Sequence, residues 1–346
     1  MTNQTMLKTL LDYLDNPQPT IAQAQAVFQP LTQGEYDDIH IAALLATLRT
    51  RGETFADIVG AARAFLDAAR PFPVSGAGII DTAGTGGDGA NTINITTGAS
   101  LVTAAAGCKV VKCGNRSVSS RSGSADVLEE LGIRLDADSD QALKELEDSN
   151  FTFLFAPAYH PAVAHVMPVR RALKLPTIFN TLGPILSPVR PELQIMGIAK
   201  PAMGQLIAEV FRELGRKRAL VIHGSGTDEI ALHGTTLFWE LHEDGDITHY
   251  ELSPQDLGVA SQPLSALVGG DAQENARLMR ASFSGSGAIA HRDALAVNAG
   301  AMLYLHDKVD SLAQGTHCAQ ELLDSGAVAE WLESRQKYSV KDGHHE

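Results

Sequence analysis

Cysteine is scarce in this chain. Its three cysteines (Cys108, Cys113, Cys318) are too few and too scattered for a disulfide framework or a metal knuckle, which points to a reducing cytosol. Long apolar runs are missing too: the longest weakly polar stretch, residues 98–107, is far too short to span a bilayer. The opening Met1-Thr-Asn-Gln-Thr has no basic segment and no apolar run behind it, so no secretory signal is expected. Basic charge is in deficit, with 27 Lys and Arg against 41 Asp and Glu and a formal charge of −14. That balance argues against a nucleic-acid partner, whose footprint is a basic face, and fits poorly with adsorption to anionic membrane. The expectation is a cytoplasmic protein with neither kind of partner. There, Asn-x-Ser/Thr matches such as those at Asn3, Asn94 and Asn115 are chance matches and not glycosylation sites. No internal repeat is evident. A hydrophobic content of 44% and a charged content of 20% are ordinary for a globular protein, and 346 residues suffice for one large domain or two smaller ones.

One further absence is local. Residues 89–125 contain no Asp or Glu, while Lys109, Lys112, Arg116 and Arg121 all fall among them. This window joins two glycine- and hydroxyl-rich stretches, Gly84-Thr-Gly-Gly-Asp-Gly89 and Lys112-Cys-Gly-Asn-Arg-Ser-Val-Ser-Ser-Arg-Ser-Gly-Ser124. Small residues expose backbone N–H groups, and a local surplus of cations in an acidic chain suggests a site for phosphate or pyrophosphate.

Residues 1–70 read as helical throughout. Leu7, Leu10, Leu11 and Leu14 have helical spacing, residues 39–48 give a second apolar helix, and residues 55–69 another, Ala-rich and amphipathic. Pro71, Pro73 and Gly76 then punctuate the chain. Beyond them, short apolar strands at 79–81, 109–112, 151–155 and 219–223 alternate with helices at 96–106 and 126–131. Glycine loops stand at the strand ends. The pattern predicts an α/β domain whose site lies at the carboxyl edge. The tail at 341–346 is polar and reads as frayed.

Gly84, Gly86 and Gly89 match G-x-G-x-x-G after a strand, as a dinucleotide-binding turn should. The carboxylate that would hold the ribose, about 20 residues further on, is missing. Asp88 would repel a bare pyrophosphate, and becomes sensible if Mg²⁺ or a sugar hydroxyl balances it; a tight turn without ligand is the plainer alternative. Asn94, Thr96 and Thr97 open the next helix, where they can hold an oxyanion or simply cap the helix end. Lys112 is a point charge suited to phosphate, with Asn115 and the hydroxyls of Ser117, Ser119, Ser120 and Ser124 around the same reversal. A solvated serine-rich loop would explain the serines, though not the cations, and Arg116 and Arg121 read equally well as surface residues. Asp228-Glu229 follows a buried strand and Gly224-Ser-Gly226, a setting that other acidic pairs such as Asp37-Asp38 lack. It is a candidate Mg²⁺ pair, whose shell substrate phosphates would complete.

Together these motifs closely resemble the anthranilate phosphoribosyltransferase family. The resemblance rests on Asp81-Thr-Ala-Gly-Thr-Gly-Gly-Asp-Gly89, Asn94-Ile-Thr-Thr97, residues 112–126, His160-Pro161, Pro168-Val-Arg170, Thr177-Ile-Phe-Asn-Thr-Leu-Gly-Pro184 and Asp228-Glu229. Weaker similarity continues through Gly269-Gly-Asp-Ala-Gln-Glu-Asn275 and residues 298–305, so that roughly residues 5–335 are covered in order. The related nucleoside phosphorylases share the architecture with a different first loop. The resemblance implies a helical domain (1–72, completed by helices from about 165–188) joined to an α/β domain (73–164 and 189–346) with a central, mostly parallel sheet flanked by helices. It implies a homodimer and an Mg²⁺-dependent transfer from 5-phosphoribosyl 1-diphosphate to anthranilate. By position, Gly84, Gly87, Asp88, Thr92, Asn94, Ile95, Thr96, Thr97, Lys112, Cys113, Gly114, Asn115, Arg116, Ser117, Val118, Ser119, Ser120 and Ser124 would hold the diphosphate. Thr96, Asp228 and Glu229 would ligate Mg²⁺, and Gly84, Asn115 and Arg170 would contact anthranilate. No side chain is assigned as nucleophile or base. The family usually has histidine at Cys113, so a changed anthranilate KM with turnover preserved is expected; Thr96 stands where serine is usual and keeps the hydroxyl. A paralogue of this fold with another nucleophile or a nucleic-acid ligand is the alternative, as is a nucleotide-sensing module without turnover.

Overall fold

The computed structural model describes residues 3–117 and 121–335. Val118, Ser119 and Ser120 of the expected site, and the tail at 341–346, lie outside the described residues. Four helices come first: α1 (Asn3–Leu14), α2 (Ile21–Thr32), α3 (Asp38–Arg51) and α4 (Phe55–Asp67). Their starts are set by short polar side chains. Thr20 with Gln23 forms a reciprocal capping box at α2, Thr54 with Asp57 another at α4, and Asp37 accepts from the His40 N–H at α3. Asp57 is also fully buried, where Arg51 pairs with both its oxygens at 2.8 Å and Tyr13 donates to it, so one carboxylate ties α1, α3 and α4 together.

After Pro71 and Pro73 come β1 (Ile79–Gly84), α5 (Ile95–Ala105), β2 (Lys109–Gly114), α6 (Ser124–Glu130), α7 (Ser139–Ser149), β3 (Phe151–Phe155), α8 (Ala156–Tyr159), α9 (Met167–Leu173) and α10 (Ile178–Ile185). The chain continues through β4 (Leu193–Gly197), α11 (Gly204–Glu213), β5 (Arg218–Gly224), β6 (Thr236–Leu241) and β7 (Ile247–Leu252). It then runs through α12 (Ala272–Phe283), α13 (Ile289–Leu305), α14 (Leu312–Asp324) and α15 (Ala327–Ser334). The strands form one sheet in the order β3-β2-β1-β4-β5-β6-β7. From β3 to β5 the pairs are parallel, as strand–helix alternation predicts, and β6 and β7 are added antiparallel.

Side chains alternate between two cores along the central strands. On β5, Leu220 and Ile222 join the core made with α5, α6 and α12 to α15, whereas Ala219 and Val221 join the core shared with α1 to α4 and α9 to α11. Burial on both faces is why such strands read as unbroken apolar runs. From β1 the chain builds outward to β2 and β3, and β4 then starts on the other side of β1, so the strand order reverses between β1 and β4. A crevice at the carboxyl ends follows from that reversal. Gly84 and Gly197 are register partners at this point, and a Cβ on either would overlap Asp228. Two side-chain-free positions are what let the acidic loop after β5 lie across the strand ends.

Candidate functional site

The crevice opens into a cavity of about 970 Å³. Its walls include Gly84, Gly87, Asp88, Thr92, Asn94, Thr96, Thr97, Lys112, Cys113, Gly114, Asn115, Arg116, Ser117, Ser124, Arg170, Asp228 and Glu229. Among the described candidates Ile95 alone is set back: its side chain is 2% exposed in the apolar core, and its N–H donates to the Ile93 carbonyl.

The first loop turns on Gly86, Gly87 and Gly89, at φ of 64°, 79° and 73°, a region open to glycine at little cost. It is fastened to the acidic loop, because the Gly86 N–H donates to Asp228 Oδ2 at 2.7 Å. Asp88 stands beside Asp228. Burial, then the Asp88 charge, pushes the Asp228 carboxyl up to about 6. Burial, then Asp228, pushes Glu229 up to about 8, against hydrogen bonds from the Thr96 N–H (3.2 Å) and the Thr96 hydroxyl. Carboxylates crowded in this way call for a compensating cation. The donors are hard oxygens, which suit Mg²⁺. Among the described residues no group of three His, Cys, Asp or Glu side chains is placed to hold a metal alone, so an ion here would draw part of its shell from a bound phosphate.

The second loop offers less free charge than its sequence suggests. Lys112 is 4% exposed, and its ammonium donates to the Thr82 carbonyl at 2.7 Å. Burial lowers its pKa, while the charges of Asp81 and Glu229 on either side pull it back up. Arg116 reaches to Asp126 at 3.0 Å and Glu129 at 2.8 Å on α6. Lys109 is exposed at the amino end of β2, away from the carboxyl edge, and Arg121 lines the cavity. Asn115 closes the reversal: its carbonyl accepts from the Ser124 hydroxyl (3.3 Å) and the Ala125 N–H (3.2 Å), and its side-chain oxygen from the Arg116 N–H (2.7 Å). Asp126, the first acid beyond the acid-free window, accepts from the Ser117 and Gly123 N–H groups at 2.9 Å.

The far end of the cavity has another character. The Arg170 guanidinium lies 5.3 Å from the Phe179 ring centroid and has no carboxylate partner among the described residues, and burial lowers its pKa. A half-buried cation on a cavity wall without a counter-ion is a seat for a carboxylate, which a guanidinium can grip in a fork. His160 on the same wall is packed and not mobile: Nε2 is 2.6 Å from the Leu186 carbonyl, Nδ1 is buried without a partner, and burial lowers its pKa. Burial, with the Asp81 charge, raises the Cys113 thiol, which keeps it protonated.

Two residues with no role legible in sequence hold the acidic loop at its ends. Asn298 on α13 accepts from the Ile230 N–H at 3.2 Å and donates to the Ala294 carbonyl at 2.9 Å. His223 Nε2 accepts from the Gly226 N–H at 3.2 Å, with Nδ1 2.8 Å from the Ile198 carbonyl. Each also has a partner distant in sequence, Ile230 for Asn298 and Ile198 for His223, which spacing does not reveal.

A helical bundle packed on an α/β domain, with an anion-ready cleft at the switch point, is the architecture of the glycosyl transferase family. The family model for the α/β domain of the glycosyl transferase family matches residues 76–329, and that for its helical bundle domain matches residues 5–69. Over 341 residues the chain is 67% identical to the anthranilate phosphoribosyltransferase of Corynebacterium efficiens, a match covering 99% of this chain and 100% of the relative. The chain belongs to the anthranilate phosphoribosyltransferase family. The solved anthranilate phosphoribosyltransferase of Thermus thermophilus is similar with a TM-score of 0.89 at 38% identity, over 97% of this chain and 99% of that one. The Saccharomyces cerevisiae enzyme, solved in complex with PRPP and Mg, is similar with a TM-score of 0.86 at 26% identity, over 98% of both chains.

Proposed function

We propose that the cleft takes 5-phosphoribosyl 1-diphosphate at its glycine-rich end and anthranilate at its Arg170 end. The 5-phosphoribosyl group passes between them to give N-(5-phosphoribosyl)anthranilate and pyrophosphate, a step of tryptophan biosynthesis. One observation carries this reading: a single cavity with backbone donors, hydroxyls and crowded carboxylates at one end and an uncompensated guanidinium at the other. The PRPP and Mg in the yeast structure support the donor end.

Gly84, Gly87, Asp88, Thr92, Asn94, Thr96 and Thr97 face the diphosphate from the first loop and the start of α5, with Ile95 taking part through its backbone. Residues 112–117 and Ser124 face it from the second loop, Arg116 through its main chain because its guanidinium is engaged on α6, and the family resemblance gives Val118, Ser119 and Ser120 the same role. Departure of pyrophosphate leaves cationic character on C1 of the ribose and negative charge on the leaving group. Loop N–H groups and the field of Lys112 stabilise that negative charge without having to reorganise. Mg²⁺, held through Thr96, Asp228 and Glu229 together with the diphosphate, would supply further positive charge there. The aromatic amine of anthranilate is the nucleophile, and its low basicity leaves the lone pair free, so no strong enzyme base is needed. Arg170 fixes the anthranilate carboxylate, with Asn115 and Gly84 beside it, and holding the amine in line with C1 supplies much of the acceleration.

The proposed division is a helical domain of residues 1–72, completed by helices from about 165–188, and an α/β domain of residues 73–164 and 189–346. The packing of α9 against α3, and of α10 against α3 and α4, supports the assignment of those helices to the helical domain. A homodimer is the assembly that the family resemblance implies. A cytoplasmic location is supported by three free cysteines. Anthranilate fluorescence should fall when the donor and Mg²⁺ are added to the protein. Unchanged fluorescence with folded protein would sink the reading and leave a binding module.

A further inference from the structure

We infer that Asn275 is a positioning residue for the diphosphate site, holding the Asn94 side chain off the end of α5 and, through it, fastening the start of α5 to the second glycine-rich loop. The inference rests on the donor end proposed above. Asn275 lies in the first turn of α12 and is 2% exposed. Its Oδ1 accepts from the Gly270 N–H at 2.7 Å, and its Nδ2 donates to Asn94 Oδ1 at 2.8 Å. A backbone N–H can only donate, so the first bond settles which end of the amide is oxygen and hence the direction of the second.

The orientation of Asn94 follows. With its oxygen taken by Asn275, its Nδ2 donates to the Ser122 carbonyl of the second loop at 3.1 Å. Asn94 is the N-cap of α5, where asparagine normally turns its oxygen onto an N–H two or three residues on. Here it makes no such bond. Of the N–H groups in that first turn, the Thr96 N–H goes to Glu229 at 3.2 Å, and the Thr97 N–H has no partner among the described residues, while Thr97 itself lines the cavity. An open helix end of this kind receives an anion. The backbone around Asn275 is shaped to the same contact. The Gly269 N–H donates to the Asn91 carbonyl at 2.9 Å, Thr92 bridges Val268, and a Cβ on Gly269 would overlap Asn275 Oδ1. One amide therefore joins the Gly269-Gly270 turn, the start of α5 and, through Asn94, the second loop.

Asn275→Asp keeps the acceptor for Gly270 and loses the donor to Asn94, leaving two oxygens face to face. Calorimetric titration with 5-phosphoribosyl 1-diphosphate and Mg²⁺, without anthranilate, should show Kd raised about tenfold, and the donor KM should rise with it while the anthranilate KM stays within about twofold. A double variant with Asn94→Ala should bind no worse than Asn94→Ala alone, because Asn275 acts through Asn94. A misfolded fraction lowers the stoichiometry and leaves the Kd of the remaining sites readable, and Asn275→Ala gives the same comparison without the opposed oxygens. An unchanged donor Kd, equal rises in both KM values, or additive effects in the double variant would overturn the inference. Failure of the unsubstituted protein to bind the donor would instead overturn the donor end itself.

Discussion

The two glycine-rich loops at the carboxyl edge are alike in composition and are held by opposite charges. The first, after β1, is clasped by an acid: its Gly86 N–H is bound to Asp228, and the absence of side chains at Gly84 and Gly197 lets that acid sit on the strand ends. The second, after β2, is clasped through a base: Arg116 reaches out of the loop to Asp126 and Glu129, and Asp126 gathers two of the loop's N–H groups. One anchor brings negative charge into the cleft, where a cation must answer it. The other draws positive charge out. An anion site in this chain is therefore built from backbone donors, hydroxyls and one buried lysine, and the four cations of the acid-free window contribute unequally. Removing either anchor tests how far the two loops differ.

The largest effect is expected at the acidic anchor. Asp228→Asn with Glu229→Gln removes the charge of the acidic anchor and the metal pair together, and Mg²⁺-dependent turnover should fall by ~10³ or more. The fold should survive, since two buried carboxylates that burial and neighbouring negative charge disfavour become neutral amides. Circular dichroism and a melting curve run beside the assay decide this, and a folded double variant that keeps Mg²⁺-dependent turnover would remove the metal from the reading. Gly84→Ala should come next. The added methyl overlaps the Asp228 carboxylate, and a displacement of about 1 Å in a positioning group costs on the order of 100-fold in kcat/KM. An alanine variant with normal kinetics would show that the acidic loop can move aside.

At the other end of the cleft, Arg170→Ala should raise the anthranilate KM roughly 30-fold and leave the donor KM within about twofold, since a forked, charge-assisted pair is lost from one substrate only. Equal rises in both values would mean that Arg170 supports the cleft as a whole.

How much of this could be read beforehand differs by element. β1, β3 and β5 were legible because strands buried on both faces are short apolar runs, and each ends in glycine or at the cavity. β7 was not, since none of its residues is buried and half of them are exposed, without a strong apolar signal. In the site, local motifs were legible and their partners were not. Nothing near Arg116 in the acid-free window shows that the next helix neutralises it. Lys112 reads as a point charge for phosphate, and nothing local shows that the fold buries it between Asp81 and Glu229. Asn275 and Asn298 lie 181 and 68 residues from the groups they hold, a distance over which spacing carries no information.

The smallest effect is expected where the sequence is loudest. Arg116 lies in the middle of the second motif and looks like a phosphate ligand, yet its guanidinium is about half exposed and already shared between two carboxylates on α6. Exposed pairs of this kind are worth little, on the order of 1 kcal/mol or less, because water and salt screen them. Arg116→Gln should therefore change the donor KM by less than about threefold and should lower the melting temperature only slightly. The loop would keep its N–H contacts to Asp126, so the residual cost falls on side-chain order and not on the diphosphate contacts. A tenfold or larger rise in donor KM, with anthranilate KM unmoved, would show that Arg116 leaves α6 for the phosphate when the donor binds. The two loops would then differ in their resting state only, each giving its charge to the cleft during turnover.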